Sequence, residues 1–371
     1  MKILIAGDFC PCDRVKIDFE HGEFDKVLGG VKSVIESADY SIVNFECPAI
    51  KGGEKPISKV GPNLCCSEKG MEAVKYAGFD CVTLANNHFY DYGDEGVANT
   101  LAVCDKYSVD FVGGGMNLEK ASQTLYKQIG GETLAIINCC EHEFSIASDT
   151  TAGSNPLNPI QQYYAIKEAR SKADYVMAIV HGGHEHFQLP SPRMVETYRF
   201  FIDVGADVVV NHHQHCYSGY EVYKGKPIFY GLGNFCFDSP KRHSGIWTEG
   251  YAVIIDFDGE KLSYQLRPYT QCNDNPVVNW LPNNAFDGKL GELNSVISDA
   301  AALQVAMDRY YLSCVNQYAN IFEPIRNRFY FAAKHRGWLP SLIGKNRKDI
   351  AENYIVCESH RDNLLYWLTK H

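Results

Sequence analysis

A series of short apolar runs separated by helix-like stretches constrains this chain more than any other feature. The runs are Lys2–Ala6, Tyr40–Asn44, Asp80–Leu84, Asp110–Val112, Thr133–Asn138, Tyr175–Val180, Asp207–Val210 and Pro227–Tyr230. Several are apolar without interruption, the pattern of strands covered on both faces. Between them lie Ser67–Ala77, which opens on a capping serine and stops before Gly78, and the similar stretches Asp94–Tyr107 and Ser191–Val204. Such alternation predicts an α/β layered fold. Tyr251–Phe257 and Lys261–Pro268 flank Asp258-Gly259 and predict a hairpin that joins or closes a sheet. After about Asn275 the character changes. Val278–Gly288 reads as loop, and Leu290–Asn316 and Asn346–Leu368 as helices, with a locally basic run of Arg326, Arg328, Lys334, His335, Arg336, Lys345, Arg347 and Lys348. That run reads first as a solvated helical face.

A chain of 371 residues suits one large domain plus an extension. Its net charge of -10 is the wrong sign for a broad nucleic-acid footprint, so no nucleic-acid partner is expected. The 14 cysteines are scattered and form no pair of CxxC motifs at zinc-ribbon spacing. Free thiols in a reducing cytoplasm are the expectation. The opening apolar run is a few residues long and ends in Gly7-Asp8, which suits a first strand and not a signal peptide. No apolar stretch approaches the length of a membrane span.

The chemistry collects where strands end. In open α/β sheets the loops at the carboxyl ends of strands form the functional crevice. Asp8 ends the first run, Asn44 and Glu46 the second, and Asn86-Asn87-His88 the third. His181-Gly182-Gly183-His184-Glu185-His186 follows Tyr175–Val180, Asn211-His212-His213-Gln214-His215 follows the next run, and Gly233-Asn234 and Asp238 follow the last. Any one of these serves equally as a turn or helix cap. Together they offer carboxylate, amide and imidazole donors, the ligands that hard or borderline divalent metals take. A metal pair in such a site would activate a bridging water, and His88 would pass a proton to a leaving group.

In these segments the sequence resembles the CapA family of poly-γ-glutamate capsule biosynthesis proteins, itself similar to the calcineurin-like metallophosphoesterases. The matches run in order over residues 1–260: Gly7-Asp8; Asn44-Phe45-Glu46; Leu84-Ala85-Asn86-Asn87-His88 with Asp91-Tyr92-Gly93; Gly113-Gly114-Gly115 with Asn117 and Ala121; His181-Gly182-Gly183-His184-Glu185; Gly205 to His215; and Tyr230 to Phe235, ending at Asp238. The resemblance implies a four-layer α-β-β-α sandwich over residues 1–270, with 271–371 as a mainly helical extension. It implies Asp8, Glu46, Asn87, His181, His213 and His215 as metal ligands for one or two divalent ions (Mn, Fe, Zn or Mg). His88 and Asp91 are implied as catalytic, and Asn44, Asn86, His184, Glu185 and Asn234 as substrate contacts. Three departures stand out. Phosphoesterases begin Asp-x-His, whereas this chain reads Asp8-Phe9-Cys10. The bridging Asp is replaced by Glu46. His186 stands where a Tyr is expected.

The resulting expectation is a cytoplasmic metal-dependent hydrolase acting on a phosphoester or γ-glutamyl-type amide bond, with a small molecule or an anionic polymer as substrate. The alternative is a non-catalytic polymer-binding or accessory protein of capsule biosynthesis.

Overall fold

In the computed structural model, the described residues are 1–259, 261–356, 360 and 368. The chain divides into two compact units, Met1–Leu303 and Gln304–His371.

The first unit is a four-layer sandwich of two sheets between helices. One sheet runs Val278–Trp280, Lys261–Gln271, Glu249–Asp258, Lys2–Cys10, Tyr40–Phe45, Cys81–Thr83 and Asp110–Val112, with Asn234–Phe237 added in parallel beyond the point where Glu249–Asp258 leaves Lys2–Cys10. The other runs Tyr220–Tyr223, Lys226–Phe229, Val208–His212, Tyr175–His181, Glu132–Cys140 and Leu125–Ile129. The central strands are parallel and buried on both faces, as their uninterrupted apolar runs require. Their parallel alignment brings the carboxyl ends that carry the polar residues to one edge of each sheet. Helices Phe24–Ile35, Lys69–Ala77 and Gly93–Tyr107 supply the residues that pack on the outside of the first sheet, among them Val27, Leu28, Val31, Met71, Val74 and Val97. Helices Pro159–Lys172 and Pro192–Val204 lie on the second.

Local signals explain the boundaries. Ser191 accepts from the Met194 amide and is followed by Pro192, so the helix starts there. Gly78 turns left-handed (φ 95°) to end Lys69–Ala77. The hairpin pairs Asp258 with Lys261, and Gly259 after the first of them turns left-handed at φ 59°.

Three expectations change. Val278–Trp280 is an edge strand and not loop, because it extends the hairpin sheet by pairing with Tyr269–Gln271. The helix expected over Leu290–Asn316 is two helices, Asp287–Ser298 and Ala300–Phe322. Asp299 breaks it by accepting from the Ala301 and Ala302 amides, which starts the second helix. A helix covers Lys345–Val356, and the remainder of the expected 346–368 helix falls largely outside the described residues.

In the second unit the buried Glu323 carboxylate accepts from Ser341 Oγ (2.6 Å), Lys334 Nζ (2.9 Å), Tyr330 OH (3.0 Å) and the Leu342 amide (3.1 Å). This knot ties helix Arg328–His335 to the turn after it. Among the described residues no helix is long and apolar enough to cross a membrane.

Candidate metal centre

The first strand must bend to present its aspartate. Its register shifts between Ala6 and Asp8 against Tyr40–Phe45, and between Asp8 and Phe9 against Asn234–Phe237. Gly7 allows the bend: a Cβ there would lie 1.8 Å from the Gly233 carbonyl, the group to which the Asp8 amide donates at 3.0 Å. Asp8 thereby turns towards the strand ends. Cys10 lies buried in the hydrophobic cluster with Phe9, Val15 and Phe45 and belongs to neither donor group described below.

Eight side chains converge there. Asp8 Oδ1 accepts from Asn44 Nδ2 (2.8 Å) and lies 3.1 Å from His212 Nδ1, and Asp8 Oδ2 is 3.6 Å from His215 Nδ1. Glu46 Oε1 is 3.5 Å from His181 Nε2 and 3.7 Å from His215 Nε2. His181 Nε2 also meets Asn87 Oδ1 and His213 Nδ1, each at 3.0 Å. One donor atom each from Glu46, His181 and His213 lie within 4.8 Å of one another, and so do those of Asp8, Glu46 and His215. Glu46 is common to both groups. Its side chain is fully buried, yet neither carboxylate oxygen has a hydrogen-bond partner among the described residues. A buried carboxyl in that state takes either a proton or a cation, and the surrounding nitrogen and oxygen donors suit a cation. The donor chemistry, oxygens and imidazole nitrogens from several strands, fits one or two divalent ions.

The backbone is strained at the same place. His213 (φ 92°) and His215 (φ 53°) both adopt the left-handed region that glycine favours. Each such residue costs on the order of 1–3 kcal/mol and persists where its surroundings impose it. The strain lets both imidazoles leave one short turn and reach the two donor groups.

Electrostatics reflect the crowding. Burial, and then the charge of Asp8, push the Glu46 carboxyl well above the usual range. Burial also opposes ionisation of Asp8, but hydrogen bonds and charge from His212 and His215 outweigh it and hold Asp8 well below that range. Burial and the neighbouring His213 lower His181 strongly, and burial and His215 lower His213. For His215 burial is opposed by Glu46 and Asp8, which push it up to about 10. Without an ion, then, Asp8 carries its charge beside the His215 imidazolium, Glu46 is held towards its protonated form, and His181 and His213 are left as neutral donors.

Beside this cluster His88 Nδ1 is 2.7 Å from Asp91 Oδ2, and Lys59 pairs with Asp91 Oδ1 while its Nζ lies 3.1 Å from His88 Nδ1. Burial is the main cause that lowers His88, against the raising effect of Asp91.

The residues expected at the substrate sort into two kinds. His184 is half-buried, and Glu185 is exposed and feels the charges of His215, His213 and His88. Asn44, Asn86 and Asn234 instead lie fully behind the cluster. Asn44 bonds Asp8, accepts from Thr83 Oγ1 (3.1 Å) and lies 3.3 Å from His181 Nδ1. Asn86 donates to the Phe45 carbonyl and accepts from the His88 amide, which shapes the turn. Asn234 Oδ1 meets His215 Nδ1 at 2.9 Å, and its amide donates to the His215 and Trp247 carbonyls. Their amides orient the carboxylate and imidazoles, and this occupies them. Two residues had no role among the expected ligands, catalytic groups or substrate contacts, although His212 stood among the strand-end residues. His212 points inward because strand Val208–His212 continues past the apolar run, a shift that run length alone does not reveal. Lys59 comes from a segment without periodicity.

A family model described as bacterial capsule synthesis protein PGA_cap matches residues 2–239, nearly two thirds of the chain. The chain belongs to this family. Among its relatives, the capsule biosynthesis protein CapA of Bacillus anthracis is 30% identical over 305 residues, 80% of this chain and 70% of the relative. The PGA biosynthesis protein CapA of Bacillus subtilis (strain 168) is 33% identical over 241 residues, 63% of this chain and 62% of its own length. The match thus spans less than two thirds of the second relative. Among solved structures, a 5'-nucleotidase precursor from Thermus thermophilus aligns over 87% of this chain and 60% of its own, at 13% identity and a TM-score of 0.43.

Proposed function

We propose that the chain is a metal-dependent hydrolase that cleaves a phosphoester or γ-glutamyl-type amide bond in capsule, polyglutamate or polysaccharide metabolism. The observation that carries this reading is Glu46: a fully buried carboxylate with no hydrogen-bond partner among the described residues, shared between two groups of donors. Asp8, Glu46 and His215 would hold one divalent ion, and Glu46, Asn87, His181 and His213 a second, drawn from Mn, Fe, Zn or Mg. Bound there, such ions supply Lewis acidity and a water acidic enough to ionise near neutrality. The chain's own residues do the rest. Asn44 and Asn234 hold Asp8 and His215 in place. Asp91 accepts a hydrogen bond from His88 Nδ1–H, so Nε2 is the nitrogen left for proton transfer: bare, it takes a proton, and as the imidazolium so formed it gives one to a leaving oxygen or nitrogen. His184 and Glu185 face an incoming small molecule or anionic polymer. The thirteen described cysteines are all free, which suits a reducing, cytoplasmic setting.

The second reading is a non-catalytic, polymer-binding or accessory protein of capsule biosynthesis. Its support is Asp8-Phe9-Cys10, where the phosphoesterase histidine is missing and Cys10 is turned into the core. Incubating the reconstituted protein with a phosphoester panel and with γ-linked oligoglutamate, and weighing the products by mass spectrometry, separates the two. Hydrolysis that is lost in Asn87→Ala supports the enzyme. No product with any of the four metals supports the binding protein.

A further inference from the structure

The segment between Tyr40–Phe45 and Lys69–Ala77 contains no regular structure over residues 51–64, yet it places a lysine inside the protein. The Lys59 side chain is 1% exposed and that of Asp91 fully buried. Lysine is almost never buried unless it is paired. The ammonium of Lys59 has two polar neighbours, Asp91 Oδ1 and His88 Nδ1, and it lies over the Phe144 ring at 5.4 Å.

Asp91 is the point where the segment and the histidine meet. Its carbonyl accepts from the Ile57 amide (2.9 Å), and Oδ2 accepts from the Leu64 amide (2.7 Å) while meeting His88 Nδ1 at 2.7 Å. Among the described residues, Lys59 is the only partner of Oδ1. With Oδ1 taken by the ammonium, Oδ2 is the oxygen left to face the imidazole. The carboxylate oxygen, at 2.7 Å from Nδ1 and closer than the ammonium at 3.1 Å, accepts the Nδ1 proton, while the ammonium, which can only donate, spends a proton on Oδ1. The Lys59 charge also balances that of Asp91, so the buried carboxylate does not depend on an imidazolium at His88 for its counter-charge.

We infer that Lys59 is a positioning residue for the hydrolysis proposed above: through Asp91 it holds the His88 ring in one orientation, with the proton on Nδ1 and Nε2 presented for proton transfer. This rests on the hydrolase reading for its role, but the orientation of His88 can be tested without it. Because the segment is docked by the same Asp91 groups that hold His88, docking of residues 57–64 and assembly of the histidine are one event. Lys59 belongs to neither of the donor groups around Glu46, so its loss should leave metal content alone.

The test compares wild type, Lys59→Met, Lys59→Arg, Asp91→Asn and the Lys59→Met/Asp91→Asn double variant, each loaded with Mn and assayed on bis(p-nitrophenyl) phosphate. Histidine-ring NMR spectra of the metal-free, isotope-labelled proteins run beside it. Lys59→Met should lower kcat by about 10- to 100-fold, a part of the roughly 100- to 10,000-fold that a positioned acid or base contributes, with KM changed less than about twofold and metal content at the wild-type level. Lys59→Arg should recover most of the loss. The double variant should be no slower than Asp91→Asn alone, because Lys59 acts through Asp91. The His88 ring should pass from a single tautomer in wild type to a mixture in Lys59→Met. An unchanged kcat in Lys59→Met, an unchanged ring spectrum, or a double variant that multiplies the two losses would overturn the inference. If Lys59→Met does not fold, the charge-balanced double variant against Asp91→Asn decides. If wild type turns over neither this ester nor γ-linked oligoglutamate with any of the four metals, the hydrolase reading fails, and the ring spectra still decide whether Lys59 positions His88.

Discussion

Replacing Glu46 by glutamine changes one charge in a fully buried, unpartnered side chain and should reverse sign with metal. In the chelated protein, the folded carboxyl is pushed well above 4.5 by burial and by Asp8. A carboxyl raised on folding contributes its full stability below the unfolded value and loses it as pH rises towards the folded one. The loss is capped, because the group can always take up a proton instead of remaining charged. At about 1.36 kcal/mol for each unit above 4.5, the ceiling is about 3.4 kcal/mol at pH 7 and under about 1 kcal/mol at pH 5. His215 offsets part of this. Glu46→Gln has the same shape without the charge. It should stabilise the chelated protein by up to about 3 kcal/mol at pH 7 and by little at pH 5. With Mn at about a hundred times the dissociation constant, wild type should gain about 2.7 kcal/mol, and the variant should gain far less. Urea unfolding with chelator and with Mn, at both pH values, reads all four numbers. A variant that is less stable than wild type in chelator at pH 7, or that keeps the full metal stabilisation, refutes the reasoning about Glu46.

Three further outcomes follow from the same geometry. His215 is raised to about 10, so its contribution is complete below 6.5 and is lost as pH rises through about 10. Thermal melts of the chelated protein should therefore fall between pH 7 and about 9.5, and both Mn and His215→Gln should flatten that fall. Gly7→Ala would set a Cβ 1.8 Å from the Gly233 carbonyl and break the bend that presents Asp8. A loss of at least about 3 kcal/mol in urea unfolding, together with loss of bound metal, is expected. Cys10→Ala should cost about 1–2 kcal/mol through a small cavity and leave the metal stoichiometry measured by elemental analysis unchanged.

Much of the site was legible because buried parallel strands must end somewhere. An apolar run such as Tyr175–Val180 that stops at His181 marks both the strand and its functional edge. The order of such ends, from Asp8 to Asn234, carried the family resemblance and with it the sandwich. What was not legible depends on register and on contacts far apart in sequence. Cys10 follows Asp8 at the spacing that should share its face, but the bulge at Gly7-Asp8-Phe9 breaks the alternation and sends the thiol to the core. Asn44, Asn86 and Asn234 sit at strand ends like the donors, and only their partners show that their amides are spent on orienting other groups. Lys59 lies amid Gly, Pro and Lys residues with no period to read, and its role comes from a pairing with Asp91, far along the chain. The split of the helix at Asp299 was local and readable, since an aspartate before Ala300-Ala301-Ala302 is a capping signal.

The central claim is that the donors around Glu46 hold metal. Crystals of the protein reconstituted with Mn, measured on both sides of the metal absorption edge, test it most directly. Anomalous peaks are expected against Glu46, one flanked by Asp8 and His215 and the other by Asn87, His181 and His213, about 3.5–4 Å apart if both positions fill. A single peak in either place would keep the metal centre and reduce its nuclearity. Well-ordered crystals with no anomalous density touching Glu46 would contradict the account.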